Sequence, residues 1–235
     1  MNILLTNDDG YNAIGIKLLK KKLEKYGRVI ILAPDRSRSA CSTSITLGKP
    51  LKIIEVAKDI YMSDGTPADC TMLGLKELNI NFDLVVSGCN DGWNLSFDAN
   101  YSGTIGACLM ALVNKTPSIA FSSQDGFKEV DDHFDEVLNF ILKNNLLSTE
   151  YILNVNFPSK KFNGIKIAHV YYRNDFYYFE KVEEGYIPLR KMQSDFNDDV
   201  ESDCYLIDHG YVSIAPLAKT NYNDIYFQEL MNKIK

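Results

Sequence analysis

The chain lacks the usual marks of several protein classes. Its 235 residues include five cysteines (Cys41, Cys70, Cys89, Cys108 and Cys204), an odd number with no close C-x-x-C pair. That spacing excludes a zinc knuckle or dithiol redox motif and leaves reduced, mostly buried thiols as the expectation. The three histidines (His133, His169 and His209) are scattered, so no catalytic or metal-binding His pair is visible. No apolar run approaches the length needed to cross a bilayer. The opening Asn2-Ile3-Leu4-Leu5 is interrupted too soon for a secretory leader. These features give a cytoplasmic, non-membrane protein as the expectation. Positive charge is also short: 25 Lys and Arg stand against 31 Asp and Glu, a net charge of −6. A protein that grips long nucleic acid by its phosphates needs the opposite balance. The one basic cluster (Lys17, Lys20, Lys21, Lys22, Lys25) reads as the solvated side of an amphipathic helix. There is no repeat and no low-complexity segment.

What is present is the composition of a globular domain, 46% hydrophobic and 24% charged. Up to about residue 155, strand-like and helix-like segments alternate. Ile3-Leu4-Leu5 and Val29–Ala33 read as buried strands. Between them Ile16, Leu19, Leu23 and Tyr26 share one helical face, with Gly27 as a helix stop. Residues 34–48 are rich in Ser, Thr and Arg without periodicity, the pattern of a long loop, which in a compact domain is usually functional or disordered. Lys52–Val56 and Ile60–Met62 are short strand candidates. Thr66-Pro67-Ala68-Asp69 opens a helix by its capping pattern. Leu84–Ser87, Ser118–Phe121 and Ile152–Val155 are further strands. The helices between them are marked by Ile105, Leu109 and Val113, and by Val130, Phe134, Val137 and Ile141.

This alternation predicts an α/β fold, a Rossmann-like, mostly parallel sheet with helices on both faces. Past residue 158 the pattern changes. Aromatic stretches around Tyr171–Phe179 suggest strands or hairpins, Val212–Ala215 a strand, and Tyr222–Ile234 a closing helix. We read 1–235 as a single domain whose part from about 159 to 235 is a β-rich and helical oligomerisation appendage.

In open α/β sheets ligands bind beyond the carboxyl ends of the strands. Three polar clusters fall at such ends: Asn7-Asp8-Asp9-Gly10, the loop Asp35–Ser42, and Ser87–Asn90. A fourth, Ser102-Gly103-Thr104, opens a helix. Adjacent carboxylates are costly unless a cation neutralises them, and an oxygen-rich set suits a hard divalent ion. Asp8 and Asp9 equally suit a turn or a helix cap. Ser102-Gly103-Thr104 could cradle a phosphate or simply cap its helix. Arg36 and Arg38 could contact phosphate, or pair with Asp35 and order the loop.

The stretches ILLTNDDG (3–10), APDRSRSACSTSIT (33–46), DGTPADC (64–70), DLVVSGCN (83–90), NYSGTIGA (100–107), PSIAFS (117–122), LNVNFP (153–158) and GYVSIAPL (210–217) occur in one order across almost the whole chain. In that ordered set the chain resembles the SurE family of metal-dependent 5′/3′-nucleotidases. The resemblance implies a phosphomonoesterase acting on nucleoside 5′- and 3′-monophosphates, with short polyphosphate as a further substrate, and a homodimer or homotetramer. It implies one divalent ion per subunit, Mg²⁺ or Mn²⁺, on Asp8, Asp9, Ser39 and Asn90. Ser102, Gly103 and Thr104, with Ser39 and Asn90 nearby, would hold the phosphate, and Asn7 would orient the ligands. Asp8 and Asp9 would carry the catalysis. Departures from the family pattern fall at Ile14, Ala40-Cys41, Cys89 and Asp91-Gly92; none removes an implied ligand. Three other readings are a phospho-accepting receiver domain, a phosphatase forming an aspartyl-phosphate, and a binding module without catalysis. The receiver needs an Asp and a Lys at strand ends that here carry Ser and Asn. The second needs an Asp-x-Asp spacing that Asn7-Asp8-Asp9 lacks.

Overall fold

A computed structural model describes residues 1–173, 176–191, 199–218 and 231–233. The chain order begins β1 (Asn2–Thr6), α1 (Ile14–Leu23), β2 (Arg28–Pro34), β3 (Ile53–Ala57), β4 (Ile60–Ser63), α2 (Pro67–Glu77) and β5 (Leu84–Asp91). It continues with α3 (Asp98–Tyr101), α4 (Gly103–Val113), β6 (Ser118–Ser123), α5 (Lys128–Lys143) and β7 (Tyr151–Asn156). Beyond these lie β8 (Ile165–Ile167), β9 (Phe176–Val182), β10 (Gly185–Lys191), α6 (Asp203–Asp208) and β11 (Val212–Ala218). Nine strands form one sheet in the order β3-β4-β2-β1-β5-β6-β7-β11-β8. The six central strands from β4 to β7 run parallel, and only β3 against β4 and β11 against β7 are antiparallel.

The strands read as unbroken apolar runs because both sheet faces are covered. Successive residues of β1 divide between the two sides. Ile3 and Leu5 pack with Ile16 and Leu19 of α1 and Phe134 and Val137 of α5. Leu4 packs on the other side with Cys70 of α2 and Ala111 of α4. The two-residue period of a strand and the 3.6-residue period of a helix meet at these contacts. Of the basic cluster, Lys17 and Lys21 are exposed, while Lys22 pairs with Asp131 of α5 at 2.6 Å and Lys25, just past α1, pairs with Asp135.

Several expectations hold. Residues 35–52 form no strand or helix. Helix α2 carries the capping box, with Thr66 as N-cap and Pro67 in the first turn. The aromatic stretch forms the β9–β10 hairpin, which pairs with itself alone among the described residues. Elsewhere after residue 158, β8 and β11 join the main sheet. The closing helix expected over 222–234 lies outside the described residues, except that 231–233 are helical.

Three details differ. Helix α1 ends at Leu23, and Gly27 is needed for space, because a Cβ there would collide with the carbonyl of Met1. Val113, placed by spacing on the buried face of α4, is 63% exposed; Cys108, Ala111 and Leu112 line the core. Small residues share that face with Ile105 and Leu112, so the spacing of large apolar residues alone misplaces Val113. Strand β5 runs on to Asp91 after a ladder irregularity between Ser87 and Asn90, which puts Asn90 on a strand rather than in a loop.

Candidate functional site

Strand β1 lies between β2 and β5, so the chain leaves it toward one side of the sheet and later returns on the other. The carboxyl ends of β1 and β5 therefore flank the switch point, where an open α/β sheet forms its natural crevice. The segment 7–10 follows β1, and Asn90-Asp91 end β5. Asn7 ties the first turn: Gly10 N–H donates to its Oδ1 at 3.0 Å, and its Nδ2 donates to the Gly10 carbonyl at 3.0 Å. Gly10 sits at φ +106°, a backbone conformation that L side chains rarely adopt.

Asp8 is only 4% exposed and points at the start of α4. The Thr104 hydroxyl donates to Asp8 Oδ1 at 2.6 Å. The backbone N–H groups of Gly103 and Thr104 also face this carboxylate, and a helix N-terminus favours an anion. Burial nonetheless outweighs these donors and raises the proton affinity of Asp8 above the ordinary range. Glycine at 103 is required by proximity: a Cβ there would stand 2.8 Å from both the Asp8 Cβ and the Cys41 Sγ.

Asp9 is pushed up to about 6, first by burial, then by the negative charges of Asp8 and Asp91, against a stabilising backbone N–H from Asp91. Among the described residues neither Asp8 nor Asp9 makes an ion pair. One residue below Asn7, Thr6 pairs with Ser87 across β1 and β5, and both hydroxyls are buried with no hydrogen-bond partner. The rim is thus a pocket of hard oxygen atoms carrying uncompensated negative charge.

The remaining expected residues are distributed unevenly. Ser102 is the N-cap of α4, its Oγ accepting from Ile105 N–H at 3.2 Å; the capping reading of that serine holds. Asn90 donates from Nδ2 to the Gly92 carbonyl at 2.7 Å, which orients its side-chain amide. Ser39 is exposed, 3.0 Å from Ser37 Oγ, on a loop joined to the site one residue earlier by the Arg38 N–H to the Asp8 carbonyl at 2.7 Å. Thus Asp8, Gly103 and Thr104 meet directly, Asn7 ties the turn that carries Asp8, and Ser39 and Asn90 lie on segments that border them. Among the described residues no three His, Cys, Asp or Glu side chains gather as a metal site. The set read from the sequence has two carboxylates, one hydroxyl and one amide, so it lies outside that pattern.

Arg38 does not reach toward phosphate. Its Nη2 donates to the Asp64 carbonyl at 2.6 Å and to Asp35 Oδ1 at 3.2 Å, so it orders the loop. The histidines stand apart from the rim residues: His133 stacks on Phe162, His209 on Tyr205, and His169 meets Asp199 at 2.9 Å.

Sequence reasoning missed how the segment from Gly92 to Tyr101 is held. The Asn94 N–H donates to Asn156 Oδ1 at 2.9 Å, and Asn154 Nδ2 donates to the Asn94 carbonyl at 2.7 Å. The Ser96 N–H donates to the buried Asp203 at 2.9 Å, and Asp98 receives Arg173 and Arg190. These partners lie 60 or more residues apart in the chain, beyond any local spacing signal. The buried Asn and Ser at the ends of β6 and β7 were the only hint.

Residues 3–175 match the family described as survival protein SurE. The chain is 36% identical over 234 residues, covering 92% of each protein, to the 5′-nucleotidase SurE of Clostridium beijerinckii. It is 37% identical over 244 residues to the 5′-nucleotidase SurE of Clostridium botulinum (strain ATCC 19397 / Type A), covering 95% of this chain and 96% of that one. The crystal structure of the SurE protein from Aquifex aeolicus superposes with a TM-score of 0.85 at 31% identity, covering 100% of both chains.

Proposed function

The chain belongs to the SurE family, and from that premise we propose that it is a divalent-metal-dependent phosphomonoesterase. It converts nucleoside 5′- and 3′-monophosphates to nucleoside and phosphate, and it also acts on short polyphosphate. The relatives' name, 5′-nucleotidase, supports hydrolysis of nucleoside monophosphates. The observation that carries the reading is the meeting of Asp8 with the N-terminus of α4, which sets an acidic pair beside the anion-favouring end of a helix.

The residues present fit a hard cation. Asp8, Asp9, Ser39 and Asn90 offer oxygen donors, and the raised proton affinity of both carboxylates marks charge that a cation would relieve. Mg²⁺ or Mn²⁺, one per subunit, suits that set. When bound, such an ion neutralises phosphate charge and makes water more acidic.

The chain's own groups supply position and polarity. Thr104 fixes the rotamer of Asp8 through its 2.6 Å hydrogen bond. The Asp91 N–H steadies Asp9. The N–H groups of Gly103 and Thr104 hold the Asp8 carboxylate, and the positive end of α4 that they mark favours the negative charge of the transferring phosphoryl group beside it. Ser102 acts by holding the turn, since its hydroxyl already caps the helix. The aspartyl-phosphate and binding-only readings gain no support from any contact described above. The working unit is a cytoplasmic homodimer or homotetramer. No described helix is long and apolar enough to cross a membrane.

The test is phosphate release from 5′-AMP and 3′-AMP by metal-stripped protein, with and without added Mg²⁺ or Mn²⁺. Release restored by the metal supports the reading. A folded, metal-loaded protein that releases nothing from either nucleotide or from p-nitrophenyl phosphate ends it.

A further inference from the structure

Helix α3 ends where α4 begins: Ser102 closes the first and caps the second. Whatever holds α3 therefore sets the direction of the Ser102–Thr104 turn. Asp98, at the first position of α3, is gripped from two places. Arg190, on β10, donates to both oxygens of its carboxylate, with Nη2 to Oδ2 at 3.1 Å. Arg173, 3% exposed, donates from Nη2 to Oδ2 at 2.7 Å, while its backbone N–H donates to Ser96 Oγ at 3.1 Å. At its other end α3 receives the Ser42 N–H on the Tyr101 carbonyl at 3.0 Å and the Ser42 hydroxyl on the Asn100 carbonyl at 2.7 Å. Ser42 follows Cys41, whose Sγ lies against Gly103. The Asp98 carboxylate thus ties the β9–β10 hairpin and the segment before it to the start of α3, while Ser42 ties the loop that carries Ser39 to the end of α3, where α4 begins. A charge-assisted, bidentate arginine contact has a defined geometry, which a neutral amide does not reproduce.

We propose that Asp98 is a positioning residue for the phosphate-binding turn: by receiving Arg173 and Arg190 together it orients α3, and through α3 the N–H groups of Gly103 and Thr104. The inference rests on the reading of that turn as the phosphate cradle. It makes turnover depend on the seating of a hairpin that contributes no group to the reaction.

The test compares Asp98→Asn, Asp98→Glu and Arg190→Gln with the unaltered protein in the presence of Mg²⁺. The readouts are kcat and KM for 5′-AMP and for p-nitrophenyl phosphate, and the affinity for inorganic phosphate by calorimetry. A displacement of about 1 Å in a positioning group costs up to ~10²-fold in rate. Asp98→Asn is expected to lower kcat about 10- to 100-fold on both substrates and to weaken phosphate binding in parallel. Asp98→Glu should recover part of both, and Arg190→Gln should show the same pattern with a smaller loss. An Asp98→Asn protein with a lower melting temperature but unchanged kcat and phosphate affinity overturns the proposal. If Asp98→Asn does not fold, unchanged phosphate affinity in Arg190→Gln overturns it equally. If the unaltered protein hydrolyses no phosphomonoester, the nucleotidase reading falls, while the effect of Asp98→Asn on phosphate binding still decides the positioning role. An unaltered protein that binds no phosphate overturns both.

Discussion

Asp9 and Asp203 are both withdrawn from water, yet their surroundings differ in kind. Asp203 accepts three backbone N–H groups, from Ser96 at 2.9 Å, Tyr171 at 3.0 Å and Cys204 at 2.8 Å. Its carboxylate joins segments far apart in sequence; burial raises its proton affinity too, but three directed donors oppose that and no neighbouring carboxylate adds to it. Asp9 sits among like charges, with Asp8 and Asp91 raising its proton affinity and a single backbone donor opposing them. Satisfied burial makes a structural joint. Unsatisfied burial of like charges is a cost that a fold keeps only where a ligand of opposite charge removes it. The difference between the two sites therefore separates scaffold from chemistry before any homology is considered.

The largest expected effect breaks that comparison at the rim. Asp9→Asn should lower kcat/KM for 5′-AMP by about 10²- to 10³-fold, the loss typical of removing one preorganised transition-state group. The same substitution removes a like charge from beside Asp8, so the metal-free variant should melt no lower than the unaltered protein. Steady-state kinetics with Mg²⁺ and a melting curve in chelator measure the two together. A variant of normal activity, or one that melts markedly lower, contradicts the contrast.

Asp203→Ala should behave in the opposite way. It strands three buried donors, a loss of about 3 kcal/mol of stability at the usual cost per unsatisfied group. The activity of the fraction that remains folded should stay within a few-fold of normal. Denaturant unfolding followed in the same samples as the assay distinguishes the two quantities. A collapse of turnover in a fully folded Asp203→Ala protein would move Asp203 from scaffold to site.

These two carboxylates also show what a sequence can and cannot display. Asp8 and Asp9 are legible because they follow a short apolar run, and a strand end in an α/β pattern is a known place for ligands. The alternation of apolar runs and helical faces likewise predicts the central sheet, since both periods are local. Thr66, Pro67 and Asp69 are legible for the same reason, being within four residues of one another. Asp203 is not legible: its donors include Ser96, 107 residues away, and a lone Asp in a polar stretch looks like any surface residue. Asp98 and Arg190, 92 residues apart, are hidden equally. The buried face of α4 is half legible: Ile105 and Leu112 mark it, but Gly103, Gly106, Ala107 and Ala111 bury without a large side chain and turn the face away from Val113.

The rim should also respond to pH, and the direction follows from linkage. A carboxyl whose folded-state proton affinity is raised costs no stability while protonated in both states. It destabilises the metal-free fold progressively as pH rises from its unfolded value toward its folded one. For Asp9 that window runs from 3.8 to about 6. Asp8 and Asp203, both raised by burial, act in the same sense. Asp132 and Asp135, held low by Lys128 and Lys25, act in the opposite sense, but only below the ordinary carboxylate range. Metal binding needs the ionised carboxylates, so added Mg²⁺ should raise the melting temperature at pH 7.5 and lose most of that effect at pH 5. The Asp9→Asn variant should show a small shift at both. A Mg²⁺ shift that is equal at the two pH values would exclude Asp9 as the titrating partner of the ion.

The smallest effect tests whether the scaffold around the long loop is separable from the chemistry it carries. Thr66 accepts the Asp69 N–H at 3.1 Å and donates from its hydroxyl to the Ser44 carbonyl at 2.7 Å. Asp69 in turn receives the Thr46 N–H at 3.0 Å and the Thr46 hydroxyl at 2.7 Å. The capping box of α2 is therefore also the anchor for the far end of the loop that carries Ser39. Loss of an N-cap hydroxyl costs about 1 kcal/mol, which in a chain of this size lowers the melting temperature by about 2–4 °C. Thr66→Ala should show that loss, and Thr66→Ser, which keeps both hydrogen bonds, should not. The near end of the loop is held independently, by the Arg38 N–H on the Asp8 carbonyl and the Arg38 side chain on Asp64. If that second anchor alone sets the place of Ser39, the Mg²⁺ concentration giving half-maximal activity should be unchanged in Thr66→Ala. A weakening of Mg²⁺ activation in Thr66→Ala, absent in Thr66→Ser, would show instead that the helix cap and the metal-side loop form one mechanical unit.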